Sequence, residues 1–212
     1  LLEAIPERAR DVLIKRYGLG SDLEVYTLEA IGQAYGITRE RVRQIENYGL
    51  QSIRKSEVYA ELEPIFTELQ QHINEIGYGL VSEEYLLREM SKDPATRNHI
   101  YFLLVLGDPF YRSKESAAYT HRWYTEKKIA DYVERALKNV HKTLSRDELI
   151  SESEVLNRFR SQLIDIADAH DDVILKRWLM ISKQIAANPL GEWGHADSPN
   201  VRVKGVRDYA YL

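Results

Sequence analysis

The apolar residues of the first 55 positions recur at intervals of three and four, a spacing that predicts short amphipathic helices. A first helix is predicted over residues 1–17, with Pro6 in its first turn and Gly18 and Gly20 ending it. Its predicted buried stripe consists of Ala9, Val12, Leu13 and Tyr17.

A second and a third helix follow, separated by a tight turn. Thr27 and Thr38 are favourable N-caps for these helices, and Gly36 suits the sharp turn between them. The predicted buried residues are Leu28, Ile31 and Ala34 in the second helix and Val42, Ile45, Gly49 and Ile53 in the third. A short helix, a turn and a longer basic helix predict a helix-turn-helix, which places its second helix in the major groove of DNA.

The outward face of the third helix carries side chains suited to reading base edges. We predict base contacts from Arg39, Glu40, Arg43 and Gln44. Arginine pairs bidentately with guanine, glutamine pairs with adenine, and glutamate accepts from the cytosine amino group. We predict phosphate contacts, which set the register, from Thr38, Arg41, Arg54 and Lys55. The alternative is a solvated charged helix face, which the caps and the glycine turn disfavour.

Residues 5–55 resemble region 4 of the sigma-70 family of bacterial transcription initiation factors. The matching runs are IPERARDVL from residue 5, RYGL from 16, TLEAIG from 27 and, above all, TRERVRQIE from 38. The resemblance implies binding to the −35 element of promoter double-stranded DNA and docking on the flap of the RNA polymerase β subunit. By position it implies base contacts from Arg39, Glu40 and Gln44 and phosphate contacts from Thr38, Arg41 and Arg43, so it assigns Arg43 differently from the spacing argument.

Nothing in the chain resembles region 2 of that family, which binds the core enzyme tightly and melts the −10 element. We therefore do not expect a complete housekeeping sigma factor. Because the first residue is not Met and the last residues look mid-element, we expect the sequence to be a piece of a longer protein.

Beyond residue 56 the pattern predicts a connecting helix over 57–76 and a winged-helix-like domain over 77–127, whose hairpin is rich in aromatic residues. The same pattern repeats weakly at a period of about 65 residues, which predicts a second such domain over 128–182. In it we expect Ser145 to cap a helix, residues 153–168 to be helical and residues 171–181 to form a strand. Residues 183–212 read as a turn-rich linker or extension, with a helix beginning near 205.

The predicted fold class is thus mainly α, with an N-terminal helix-turn-helix domain over 1–56 followed by tandem winged-helix-like domains with small β-hairpins. A single irregular helical domain is the alternative for the body. The C-terminal end resembles the lead-in to a small helix-turn-helix domain, HARE-HTH, that is also found in the delta subunit of bacterial RNA polymerase.

Charge is distributed unevenly along the chain. Residues 1–56 carry nine Lys or Arg against eight Asp or Glu, while residues 57–212 carry 20 against 25. Residues 38–56 carry five against two, so positive charge gathers at the predicted reading helix.

No apolar run approaches the roughly 18 residues of a membrane span, and no signal peptide precedes the first motif. The absence of cysteine is compatible with the expected cytoplasmic location.

Other candidate chemistry is weaker. Asp165, Asp168, Asp171 and Asp172 surround His170, but a helical run of acids is a poorer cation site than converging ligands, so no metal or other cofactor is expected. The aromatic residues of the hairpin, Tyr111, Tyr119, Trp123 and Tyr124, could stack on bases, although packing on their own helices is favoured. Arg112, Lys114 and Arg122 would let the hairpin touch a phosphate backbone.

No phosphate loop, nucleophile elbow or thiol is present, so we do not expect an enzyme. The leading hypothesis is a sequence-specific transcription factor of the sigma region 4 type that recognises a promoter without melting it. The alternative is an accessory protein that binds RNA polymerase and modulates initiation without reading bases.

Overall fold

The computed structural model describes residues 1–163, 166 and 171–202. The predictions for Asp165, Asp168, His170 and the helix near residue 205 lie outside these residues. The helices are α1 (Glu7–Tyr17), α2 (Leu28–Tyr35), α3 (Arg39–Arg54), α4 (Glu57–Ala60), α5 (Glu63–Gly77), α6 (Glu83–Met90), α7 (Pro94–Leu106), α8 (Lys127–Thr143), α9 (Glu152–Arg160) and α10 (Asp172–Leu179). The strands are β1 (Leu80–Ser82), β2 (Tyr111–Ser113), β3 (Arg122–Tyr124), β4 (Ile185–Ala187) and β5 (Trp193–His195).

The chain divides into two compact units. Unit 1 comprises Leu1–Gln71 with Leu87–Phe110, and unit 2 comprises His72–Leu86 with Tyr111–Leu212. The predicted fold class is confirmed, because the described elements are mainly helical and the strands form small antiparallel sheets. No described helix is long and apolar enough to cross a membrane.

Unit 1 is built around the three predicted helices of the helix-turn-helix region. The four residues predicted to face inward from α1 are buried, as are Val42, Ile45, Gly49 and Ile53 of α3. The first helix is shorter than predicted: residues 2–4 form a separate 3₁₀ turn and Pro6 is the N-cap of α1. In α2 the prediction for Ala34 is wrong, because Ala34 is exposed and Gly32 is buried instead.

Helix α7 completes the core of unit 1, although the sequence placed it in the winged-helix domain 77–127. Phe102 and Leu106 are buried among the residues of α1 and α3, and the Phe102 ring centroid lies 5.1 Å from that of Tyr17. The Asn98 amide donates to the carbonyl of Gly18 at 2.9 Å. The reason for the difference is that α7 has its own apolar stripe, and only the tertiary structure shows which helices cover it.

An acidic side chain is buried between α1 and α3. The Tyr17 hydroxyl donates to Glu46 Oε1 at 3.0 Å, and Arg16 Nε lies 3.3 Å from the same oxygen without making a hydrogen bond to it. Burial and then the Glu46 carboxylate raise the pKa of Tyr17 well above its ordinary value. This contact ties the middle of the inner face of α3 to α1.

The first sheet has the connectivity of a winged helix. Its strand order is β1-β3-β2, with both pairs antiparallel and Trp123 opposite Val81 on one side and Arg112 on the other. The pattern predicted the three helices and the hairpin in this order, and strand β1, which lies between the first two helices, was not predicted. Glu83 holds this sheet together, since its carboxylate accepts from Arg112 and, at 2.9 Å, from Trp123 Nε1.

The same order recurs in unit 2 after Glu126. Helix α8 is followed by a bridge between Ile150 and Trp193, then by α9, α10 and the β4–β5 hairpin. The apolar faces of these helices share one core with Trp178 and Trp193. This winged-helix order extends to residue 195, so it runs past the predicted boundary of 182.

Three predictions for this region are wrong. Ser145 does not cap a helix, since α9 begins after Ser151, whose hydroxyl accepts from the amide of Glu154. Residues 172–179 form helix α10 rather than a strand, because Leu175, Trp178 and Leu179 bury one face at helical spacing. Part of the predicted linker forms β4 and β5, whose turn is organised by the Asn188 side chain accepting from the amides of Leu190 and Glu192.

We expect Tyr17→Phe to lower the local stability of α1 and α3 by about 1–3 kcal/mol, because it leaves the buried Glu46 carboxylate without a donor. Native-state hydrogen exchange of the α3 amides measures this. Tyr48→Phe, on the exposed side of α3, is the control and should change nothing.

The Tyr17 contact also gives a pH dependence. Because the folded-state pKa is raised, its contribution is fully present below the ordinary tyrosine pKa of about 10 and is lost as pH rises toward the folded pKa. Wild type should therefore lose α3 protection more steeply above pH 10 than Tyr17→Phe does. Equal slopes for the two proteins would show that Tyr17 is not the titrating group.

Candidate nucleic-acid interface

Two threonine caps and one glycine define the helix-turn-helix. The Thr27 hydroxyl accepts from the amide of Ala30, and the Thr38 hydroxyl accepts from the amide of Arg41, both at 3.1 Å. Gly36 ends α2 in the left-handed conformation with φ of 60°, which glycine adopts without strain. Gly32 allows the close approach of the turn, since a Cβ there would lie 2.7 Å from the Ile37 carbonyl oxygen.

Helix α3 has two distinct faces. Its inner face is buried against the rest of unit 1, and a Cβ on Gly49 would already contact Leu13 at 3.1 Å. Its outer face is exposed over the first two turns. All four predicted base-reading residues, Arg39, Glu40, Arg43 and Gln44, lie on this exposed face, together with Thr38 and Arg41.

The outer-face side chains are paired with each other. Arg43 donates twice to the Glu40 carboxylate, at 2.6 and 2.9 Å, and Arg41 donates to Gln44 Oε1 at 3.1 Å. The hydrogen bond from Arg43 lowers the pKa of Glu40, so this carboxyl is ionised at neutral pH. Both partners of the Glu40–Arg43 pair are more than half exposed, and such surface pairs contribute little stability. They can therefore exchange partners at low cost.

Two of the residues predicted to contact phosphates, Lys55 and Arg54, differ in whether their side chains are already hydrogen-bonded within the protein. Lys55 is exposed at the C-terminal end of α3. Arg54, in contrast, donates to the carbonyls of Val105 and Leu106, both at 2.9 Å, and so satisfies the last turn of α7. Because its guanidinium is used within unit 1, we leave Arg54 out of the proposed phosphate contacts.

Glu46 is a residue of this region that the sequence reasoning missed. Its signal was present, because Glu46 lies four residues after Val42 and three before Gly49 and therefore on the inner face. The side chain is only 9% exposed and accepts from Tyr17. Glu46 thus holds α3 against α1 and does not belong to its exposed face.

The hairpin of the first winged helix is less available for nucleic acid than the sequence suggested. Trp123 is buried, and the Tyr119 hydroxyl donates to the Glu134 carbonyl. Arg112 is bound by Glu83, and Arg122 is bound by Glu134 at 2.6 Å. Tyr111 stays exposed, stacked on Tyr124 with 5.6 Å between the ring centroids.

The acidic residues near 170 that the structure describes have local partners. Asp171 caps α10 by accepting from the amide of Ile174, and Asp172 is paired with Arg160. Within 1–163, 166 and 171–202, no group of three or more His, Asp or Glu side chains is arranged to hold a metal ion.

Comparisons with known proteins match the same part of the chain. Residues 1–55 match the family model for sigma-70, region 4. The segment is 50% identical over 54 residues to RNA polymerase sigma factor SigA of Nostoc sp. (strain PCC 7120 / SAG 25.82 / UTEX 2576), covering 26% of this chain and 14% of that protein. It is 53% identical over 53 residues to RNA polymerase sigma factor RpoS of Coxiella burnetii (strain RSA 493 / Nine Mile phase I), covering 25% of this chain and 15% of that protein.

The match therefore spans about a seventh of the length of these relatives and a quarter of this chain. No solved structure matches the chain significantly. The predicted resemblance of residues 5–55 to sigma-70 region 4 is confirmed by these matches, which lie within residues 1–55.

We expect Thr38→Ala to destabilise the first turn of α3 by about 1 kcal/mol, because the amide of Arg41 loses its side-chain acceptor. Thr38→Ser keeps the hydroxyl and should behave as wild type. Hydrogen exchange of the amides at residues 40–43 compares the three proteins. Equal protection in the alanine and serine variants would contradict a capping role.

Proposed function

We propose that this protein is a sequence-specific DNA-binding transcription factor of the sigma region 4 type, which recognises a −35-like promoter element without melting DNA. The observation that carries the proposal is the exposed outer face of α3, on a helix-turn-helix held by two threonine caps, in the segment that matches the family. Five of the seven charged residues between 38 and 56 are basic, which suits a polyanionic partner.

In this proposal the N-terminal half of α3 enters the major groove. Arg39, Glu40 and Gln44 contact base edges, with Arg43 either joining them or turning to a phosphate. Thr38, Arg41 and Lys55 contact phosphates and set the register. On binding, the Glu40–Arg43 and Arg41–Gln44 pairs are exchanged for contacts with DNA, and their exposure keeps the cost of that exchange small.

RNA polymerase is the second proposed partner. The relatives that match residues 1–55 are RNA polymerase sigma factors, and docking on the β-subunit flap is the contact that the resemblance implies. An accessory protein that binds polymerase without reading bases is the competing function. It would be retained on polymerase yet bind promoter and random duplexes with equal affinity.

Selection of bound sequences from a random duplex pool tests the main proposal. The full chain is incubated with the pool at a stated salt concentration, because phosphate contacts make the affinity salt-dependent. Enrichment of a −35-like hexamer supports promoter recognition. A pool that shows no enriched sequence after repeated rounds, together with retention on polymerase, supports the accessory function instead.

Substitutions on α3 should separate reading from positioning. We expect Arg39→Ala to weaken binding to the selected duplex by about 1–3 kcal/mol and to relax preference at one base pair. Arg41→Ala should weaken all sequences alike and make the salt slope shallower by about 1. Fluorescence anisotropy titrations against selected and scrambled duplexes measure both effects. If both variants bind both duplexes as wild type does, α3 is not the reader.

A further inference from the structure

Helix α8 in unit 2 carries a basic face that the proposed reading function does not use. Its exposed cations are Lys127, Lys128, Arg135, Lys138 and Lys142. At 3.6 residues per turn these five positions fall within an arc of about 100° and extend over about 22 Å of helix. We call this surface the α8 basic face.

The opposite side of α8 is buried in the core of unit 2. Ile129, Val133, Leu137 and Val140 are buried in the core of unit 2. The basic face is therefore presented to solvent by a helix that cannot rotate without unpacking that core. Its position on the helix is fixed as firmly as the core itself.

The cations of the α8 basic face have no acidic partner among the residues that the structure describes. Asp131 is the one acid within the arc, and it forms no ion pair with them, while Glu134 at the edge is bound by Arg122. The head groups of Lys128 and Arg135 lie 5.8 and 5.4 Å from the Tyr132 ring centre, which orders them along the face. Elsewhere in unit 2, many exposed cations are neutralised, as in Lys176–Glu152 and Lys183–Glu115.

We propose that the α8 basic face binds the phosphate backbone of duplex DNA, as a sequence-independent contact additional to α3. A duplex presents about one negative charge per 1.7 Å of its axis, so a linear array of cations meets a linear array of phosphates. Neutralising phosphates releases counterions and raises affinity for every sequence alike. Because α3 and α8 belong to one chain, the two contacts reinforce each other when both engage the same DNA.

The side chains of the α8 basic face make a membrane or a protein a less suitable partner than DNA. An interfacial membrane helix inserts its apolar side, but the apolar side of α8 is buried in the core. A protein partner would require an apolar centre of contact, and the exposed arc contains only charged side chains. Phosphate recognition needs neither of these features.

The test compares two variants that remove the same charge. Arg135→Gln/Lys138→Gln removes one arginine and one lysine from the basic face. Arg8→Gln/Lys92→Gln removes one of each from exposed, unpaired positions in unit 1. Glutamine is a good helix former, so both full-length variants should keep the helical circular dichroism of the wild type.

We expect the α8 variant to bind random duplex about tenfold more weakly than the control at 0.1 M salt, with a salt slope shallower by about 1.8 for two lost contacts. The same factor should apply to any selected promoter duplex, and the base preference should not change. Equal affinities and slopes for the two variants would overturn the proposal. So would an α8 variant that loses binding only to phosphatidylserine vesicles or to polyglutamate.

A footprint on the unmodified protein covers the case in which the α8 variant does not fold. Acylation of lysine amines is compared with and without random duplex. Protection of Lys138 and Lys142, with Lys92 unchanged, supports the proposal, and uniform reactivity contradicts it. Because random duplex is the probe, the result does not depend on whether α3 reads bases.

Discussion

The packing of α3 on α1 is the contact on which the exposed face of α3 depends. The inner face of α3 is anchored by Glu46, which is buried and accepts from Tyr17, and by Gly49, where the absence of a side chain lets the helices approach closely. Most of the stability of a helix in a protein comes from packing its apolar face, so this face supplies most of the stability of α3. With the inner face held, the outer face is presented to solvent in a single rotation of the helix.

Helix α7 adds to this packing within unit 1. It follows α5, β1 and α6 in the order of a winged helix, yet its apolar side chains complete the core of the helix-turn-helix unit. Arg54 and Asn98 reinforce the packing by bonding to main-chain carbonyls. The third helix of this winged-helix order therefore packs in the core of unit 1.

The two segments that follow the winged-helix order of elements differ in which charged side chains remain unpaired among the described residues. In the first, the arginines of the hairpin are bound by glutamates and its tryptophan is buried. In the second, the first helix presents five cations without acidic partners among the described residues. The pairs of the hairpin are part-buried and tie its arginines into the fold, whereas the cations of α8 have no such pairing among the described residues. Whether a positively charged surface can bind a partner therefore depends on how its cations are paired as well as on how many there are.

The sequence by itself determined the helix-turn-helix, its two threonine caps and four of the six residues that α3 buries, because hydrophobic period and capping act between residues at most four apart. Local patterns predicted the wrong structure for residues 172–179, which form a helix because distant side chains bury one of its faces. They also missed β4 and β5, because the pairing of these strands joins separate segments. Only the tertiary structure decided the roles of Arg54 and Glu46. Their partners, Leu106 and Tyr17, lie 52 and 29 residues away, and no local pattern encodes contacts at that separation.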